Sequence, residues 1–408
     1  MGFRTAIIWN GVSQLGTTGI TFISNVILAR LLTPDDYAII GLVTIFIAFS
    51  QMMVDSEMGG ALLRKPTVTR TDYSTLFYYN LAVSLFLFTV LYFIAPLIAK
   101  FYSLPQLTEV VRVLSLTIII QAFRVVQRIM IFREFKFKTY AVINLISGIV
   151  SLAVAILMAL RGYGYWALIW QQIVQALCNL ILMETYNRFI PALTFSKESF
   201  KYQFSFGISL LGSNTVSTIA NNISTNIIGK ISSIEFTGYY TQVSKLTNFC
   251  QSSIGPILDQ SVFPILAKYD KVEDIRATYY RFLKLLTMAL IALSVLCILF
   301  ARPIISLVLG DQWLGGAFIF QILSLGMLPA TLQILCRTIL KTLGTTKRVL
   351  YLETIKSVII IALLIGAAFI NSDFVVWAVV ISQMISCVIW LIATEKELKH
   401  KLVKVEEA

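Results

Sequence analysis

Long apolar runs recur along this chain from Ala6 to Thr394, and the connections between them are short and charged. An α-helix needs about 20 predominantly apolar residues to cross the roughly 30 Å hydrocarbon core of a bilayer. Twelve runs reach that length, at 6–28, 37–58, 74–99, 108–132, 140–160, 165–186, 202–229, 238–267, 282–301, 313–340, 349–370 and 374–394. A helix closes its backbone hydrogen bonds within itself, which is the condition for lying in lipid. The predicted fold is therefore an all-α polytopic membrane protein with about 12 transmembrane helices. Residues that are 57% hydrophobic and only 13% charged exclude a soluble core. The first run lacks a small-residue cleavage site and reads as a span, not as a removed signal peptide.

The formal net charge of +12 suggests nucleic acid until the charges are placed. Of the 33 Lys and Arg, 22 fall in the connections and tails of one side and five in the turns of the other. That asymmetry places both termini in the cytoplasm and leaves no nucleic-acid surface. Within the connection 268–281, Lys271, Arg276 and Arg281 mix with Tyr269, Tyr279 and Tyr280. Ordinary positive-inside charge explains this pattern, and so does an amphipathic segment lying against anionic headgroups.

The seventh run is the anomaly. Its middle carries Ser213, Asn214, Ser217, Thr218, Asn221, Asn222, Ser224, Thr225 and Asn226. Polar side chains at membrane depth turn to other helices or to water. The run also repeats an earlier one: GVSQLG at 11–16 matches GISLLG at 207–212, an offset of 196. LSL at 114–116 matches LSL at 323–325 with an offset of 209, which also places Arg128 on Arg337. Two halves of six spans follow, at 1–191 and 192–394, with a cytoplasmic tail at 395–408. Two six-helix bundles facing a central polar cavity is the expected arrangement, with the halves as parallel repeats.

Besides Lys284 near the inner end of the ninth run, six basic residues fall inside spans, where a charge is costly unless it faces protein or water. Gln121, Arg124 and Arg128 share one face of the fourth span, and guanidinium suits bidentate phosphate contact. Arg128 can also snorkel to headgroups, and Arg112, on another face, is expected to do so. In the eighth span, Thr241, Lys245, Asn248, Ser252 and Asp259 form a stripe at helical spacing, either a cavity wall or a set of interhelical hydrogen bonds. Arg337 and Lys356 complete the cationic set, although Glu353, three residues before Lys356, offers it a local ion pair. Cavity-lining candidates are Gln121, Asn214, Asn221, Asn222 and Asn248. The acids Asp55, Glu57 and Asp259 are candidates for ion coupling, or else counter-ions to nearby arginines. Pro96, Pro256, Pro264 and Pro329 fall inside spans, where proline bends a helix.

No metal or cofactor site is expected. The five cysteines lack ligand spacing, and the single histidine, His400, is on the tail. No phosphate loop, zinc helix or nucleophile elbow is present.

Three groups of residues resemble the Wzx-type polysaccharide exporters. They are GLVTIFIAFSQMMVDSEMGGALLRK with TDYSTLFYYNL, NIIGK with TGYYTQVSKL and FPILAKYDK, and LVLGDQW. That family belongs to the superfamily of multidrug exporters and lipid II flippases. The resemblance implies two six-helix bundles around a cationic cavity in the bacterial cytoplasmic (inner) membrane. It implies a flippase for undecaprenyl-diphosphate-linked oligosaccharide, in O-antigen, capsule or exopolysaccharide synthesis. Implied partners are that glycolipid, membrane lipid and polysaccharide polymerase machinery. An ion-coupled multidrug antiporter of the same architecture is the alternative, though a cavity for organic cations should be rich in carboxylates. An enzyme is not expected, because the external turns are too short to carry a catalytic loop.

Overall fold

The computed structural model describes residues 3–55, 58–257 and 272–406. Every predicted span has a helix. The first six are α1 (Phe3–Leu31), α2 with α3 (Pro34–Asp55, Met58–Arg64), α4 (Arg70–Tyr102), α5 (Leu107–Arg133), α6 (Phe137–Leu160) and α7 (Trp166–Tyr186). The next three are α8 (Lys197–Ile231), α9 (Ile234–Ile257) and α10 (Val272–Leu299). The short α11 (Ala301–Val308) and a 3-10 turn (Asp311–Gly316) lead to α12 (Ala317–Leu325), α13 (Met327–Thr342), α14 (Thr346–Ala368) and α15 (Ser372–Glu406).

Among the described residues, eight segments are both long and apolar enough to cross a membrane. The other four long helices are α1, α5, α8 and α9, of 29, 27, 35 and 24 residues. All four have the length, and each carries polar residues in its interior. They are the helices that hold the Gly11–Gly16 repeat, Arg124 with Arg128, the Asn-rich stretch and Lys245.

Local chemistry sets the helix ends. Pro34 opens α2 at a position where its missing N–H costs nothing. Thr33 and Asp36 form a reciprocal cap there, Thr33 N donating to Asp36 Oδ2 at 2.9 Å and Asp36 N to Thr33 Oγ1 at 3.4 Å. Thr69 and Asp72 cap α4 in the same way. The tenth span is not one helix, because it breaks at Gly326. A Cβ there would strike Gln383 Oε1, so a larger residue would have to displace that side chain. Pro329 consequently lies in the first turn of α13 instead of kinking a continuous helix.

Contacts group the chain into two compact units, 1–222 and 223–408, dividing it within α8. In the first, Gly16 and Gly148 let α1 and α6 approach closely: Cβ atoms built there lie 2.8 Å from Leu145 Cδ2 and 3.1 Å from Ile20 Cγ2. A core of Met58, Leu62, Leu76, Phe77, Val125 and Ile129 receives Phe189 from the connection after α7. That connection is fastened to the start of α4. Arg70 donates to the Ile190 carbonyl at 2.8 Å, Ala192 N to Ser74 Oγ at 2.9 Å, and Ser196 N to Thr75 Oγ1 at 3.1 Å. Asp72 closes the joint, accepting from Lys65 Nζ at 2.8 Å, Thr69 N at 2.9 Å and Ser199 Oγ at 2.6 Å. Its side chain is 5% exposed.

The core of the second unit gathers Ile275, Tyr279, Leu335, Ile339, Leu352 and Trp390. Two of the sequence motifs meet in the same unit, outside that core. Tyr239 of TGYYTQVSKL lies edge-on to the buried Trp313 of LVLGDQW, with centroids 6.2 Å apart. It covers Gly315 so closely that a Cβ would come within 2.6 Å of its ring. Tyr239 and Trp313 thus pack against each other.

The connection 268–281 also differs from one of its two readings. From Val272 onward it is the first two turns of α10, continuous with the ninth span, and not a separate segment lying on the surface.

Candidate functional site

The intramembrane charges of the first unit gather around α5. Arg124 is half-buried and donates through Nη2 to Gln121 Oε1 at 3.0 Å, as residues three apart on a helix can. One turn on, Arg128 forms a two-pronged pair with Asp55 at the end of α2, one prong being Nη1 to Oδ2 at 3.0 Å. Gln127 donates to Glu184 of α7, which also accepts from Phe189 N at 3.2 Å. The carboxylates Asp55 and Glu184 are thus engaged by donors, while Arg124 has a neutral partner. Arg112 wraps Tyr92 of α4, with its guanidinium 4.3 Å from the ring centroid and Nε donating to the Tyr92 carbonyl at 3.2 Å. This is a cation–π seat.

In the second unit the repeat-related arginine has the same kind of partner. Arg337 of α13 lies 3.6 Å from Glu353 of α14, and Lys356 lies 4.0 Å from the other oxygen of that carboxylate. Their side chains are 34%, 25% and 23% exposed for Arg337, Lys356 and Glu353. Two cations share one anion, and Arg337 Nε is buried with no hydrogen-bond partner among the described residues. The expected pair within α14 is present; the link to α13 was not foreseen, because nothing local joins residues 337 and 353.

The remaining candidates are spread more widely. On α9, Lys245 and Asn248 are exposed, whereas Thr241 is buried and donates to its own helix at the Thr237 carbonyl, 2.8 Å away. The predicted stripe is therefore not uniform. On α8, Asn214 is half-buried, Asn221 is exposed, and Asn222 donates to the Thr218 carbonyl at 2.8 Å. Ser224 and Asn226 are buried, and Ser224 accepts from Tyr240 at 2.8 Å. Glu57 and Asp259 lie outside the described residues, as does the side chain of Ser252. Among the described residues no cluster of His, Cys, Asp and Glu could hold a metal ion.

Sequence reasoning missed two charged residues that order the ends of helices. Arg133 donates to the carbonyls of Leu62, Lys65 and Pro66, capping the end of α3. Lys136, in the turn after α5, pairs with Glu134 at 2.6 Å, and that hydrogen-bonded carboxylate raises its pKa.

Residues 27–318 match the family described as polysaccharide biosynthesis protein. Among curated proteins, the chain is 27% identical to the teichuronic acid biosynthesis protein TuaB of Bacillus subtilis over 78% of its own length and 66% of the relative's. It therefore spans just under two thirds of that relative. Among solved structures, it superposes on an inward closed conformation of the lipid II flippase MurJ with a TM-score of 0.76 at 16% identity, covering 97% of this chain and 90% of the other. An inward-facing multidrug resistance MATE family transporter of the MOP superfamily gives a TM-score of 0.75 at 15% identity, covering 98% and 99%. The fold is that of these membrane transporters. Since a lipid flippase and a drug transporter share it about equally, the fold alone does not choose between their substrates.

Proposed function

Because this membrane protein belongs to the polysaccharide biosynthesis protein family, we propose that it is a flippase for an undecaprenyl-diphosphate-linked oligosaccharide. In this reading it serves surface polysaccharide synthesis in the cytoplasmic membrane of a bacterium, with both termini in the cytoplasm. The functional halves are 1–191 and 192–394, followed by the tail 395–408. The protein moves its substrate without chemical change, and the polysaccharide polymerase machinery receives the product.

One observation carries this reading, the charge balance inside the spans. Arg112, Arg124, Arg128, Lys245, Lys284, Arg337 and Lys356 stand against four described carboxylates, Asp55, Glu109, Glu184 and Glu353. Three of the four already accept from, or pair with, a donor of the protein: Asp55 from Arg128, Glu184 from Gln127, and Glu353 with Arg337 and Lys356. Adding Glu57 and Asp259 brings the acids to six, against seven cations. A surplus of cations at membrane depth fits a diphosphate and opposes an organic cation.

The roles divide accordingly. Arg124, Lys356 and Lys245 contact the diphosphate. Arg128 and Arg337, held by carboxylates, position the charge. Asp55 acts as the counter-ion of Arg128, the plainer of the two roles open to it. The polar residues Gln121, Asn214, Asn221, Asn222 and Asn248 offer hydrogen bonds to sugar hydroxyls.

Binding by the full-length protein in nanodiscs tests the assignment. Arg124→Gln and Lys356→Gln should each weaken binding of the lipid-linked oligosaccharide by about tenfold, the worth of one charge-assisted hydrogen bond of about 1.4 kcal/mol. Unchanged affinity in both variants would remove the cationic site.

A further inference from the structure

A groove of about 660 Å³ opens between the start of α10 and the end of the apolar part of α15. Its walls are Tyr280, Leu283, Leu391 and Ile392, and its rim carries Glu395, Lys396 and Lys399. The rim has a definite charge. Glu395 accepts from Tyr280 at 2.7 Å and from Arg276 at 3.3 Å, and it faces Lys399 at 3.7 Å. One carboxylate thus stands among three cations, Arg276, Lys396 and Lys399. Lys396 is exposed at the mouth. Below the rim, α10 presents Leu285, Met288, Ile291 and Val295, between 47% and 58% exposed. Their spacing of three, three and four residues gives one apolar strip along the helix.

Positive charge above, tyrosine at the boundary and open aliphatic surface below is the pattern of a phospholipid at a membrane interface. The volume lies in the range of pockets that enclose a small amphiphile. The first unit holds a smaller groove between α6 and α7, of about 420 Å³, with one lysine and no carboxylate among the described residues of its lining. Lys138 and Tyr186 stand at its rim, Val142, Ile146 and Leu182 in its walls, and Lys136 Nζ lies 5.3 Å from the Tyr186 ring centroid.

We propose that the α10–α15 groove binds an anionic glycerophospholipid of the surrounding bilayer. Its phosphate meets Lys396 and Lys399, and an acyl chain follows Leu283 and Ile392 down α10. The basic and aromatic residues between Arg276 and Arg281 thereby gain a function beyond orientation. Arg276 and Tyr280 share Glu395 with Lys399, so one carboxylate is divided among several donors. The site is independent of the cargo, since none of its residues belongs to the intramembrane charge clusters.

Native mass spectrometry of the full-length protein tests this, with phosphatidylglycerol and phosphatidylcholine of identical chains as probes. The wild type should retain phosphatidylglycerol about tenfold better. Lys396→Gln with Lys399→Gln should abolish that preference, and Lys396→Arg with Lys399→Arg should keep it. Ile392→Trp fills the groove from an exposed position and should reduce retention of both lipids, which decides the matter if the glutamine variant does not fold. No headgroup preference in the wild type would overturn the proposal, as would a preference that survives the glutamine variant. One-for-one displacement of the phospholipid by an undecaprenyl-diphosphate oligosaccharide would also overturn it, because the groove would then belong to the cargo.

Discussion

Replacing Glu353 by Gln separates the two transport readings more sharply than removing any cation does. Glu353 is shared by Arg337 at 3.6 Å and Lys356 at 4.0 Å. An arriving diphosphate must compete with it for the same donors. At an effective dielectric of about 20, a unit-charge pair near 4 Å attracts by roughly 4 kcal/mol. The three side chains are 23–34% exposed, so water screens much of that. A net competition of about 1.4 kcal/mol is a fair working value, equal to a tenfold change in affinity. Glu353→Gln keeps the size of the side chain and removes the competing charge. Binding of a lipid-linked oligosaccharide should tighten about tenfold, and turnover should slow because release becomes harder. Lys356→Gln should act in the opposite direction on affinity. Titration of both variants in nanodiscs, with an organic-cation dye as a parallel ligand, gives the readout. Weaker binding of the glycolipid by Glu353→Gln, together with loss of dye binding, would refute the reasoning and make Glu353 a cation site.

Other expectations follow from single contacts. Arg128→Ala leaves Asp55 without its counter-ion and should destabilise the first unit, whereas Arg128→Ala with Asp55→Ala should recover part of the loss; equal thermal stability of the single and double variants in detergent would show the pair to be inert. Asp72→Asn gives up the contact to Lys65, a hydrogen bond between charged groups worth about 1.5 kcal/mol, so amides at 66–75 and 189–203 should exchange about tenfold faster. Unchanged exchange there would show that Asp72 does not fasten the connection to α4. Gly315→Ala drives a methyl group into the Tyr239 ring, and overpacking of that kind costs about 1–3 kcal/mol, to be seen as a lower melting temperature at unchanged helix content.

What the sequence discloses and what it hides differ in physical kind. The spans were legible because a bilayer imposes length and apolarity on each helix separately, and every predicted run has its helix. The four long helices outside the eight apolar segments are also the ones whose polar residues stand out in the sequence. Pairings such as Arg128 with Asp55, 73 residues apart, depend on how helices pack, and nothing near either residue encodes the partner. Pairs at i and i+3, such as Lys356 with Glu353 and Arg124 with Gln121, were open to a local argument. The break at Gly326 was hidden for a similar reason. A glycine inside an apolar run looks tolerable until Gln383 is seen to occupy the space of its Cβ. Pro329 pointed to a bend in the tenth span, but its meaning changed once it proved to begin a helix.

The central claim is transport of a lipid-linked sugar, and movement between leaflets tests it most directly. Full-length protein in liposomes, given a labelled undecaprenyl-diphosphate oligosaccharide and an organic-cation dye side by side, should move the oligosaccharide and leave the dye where it is. Efflux of the dye with the oligosaccharide held in its original leaflet would contradict the account and make the protein a drug transporter.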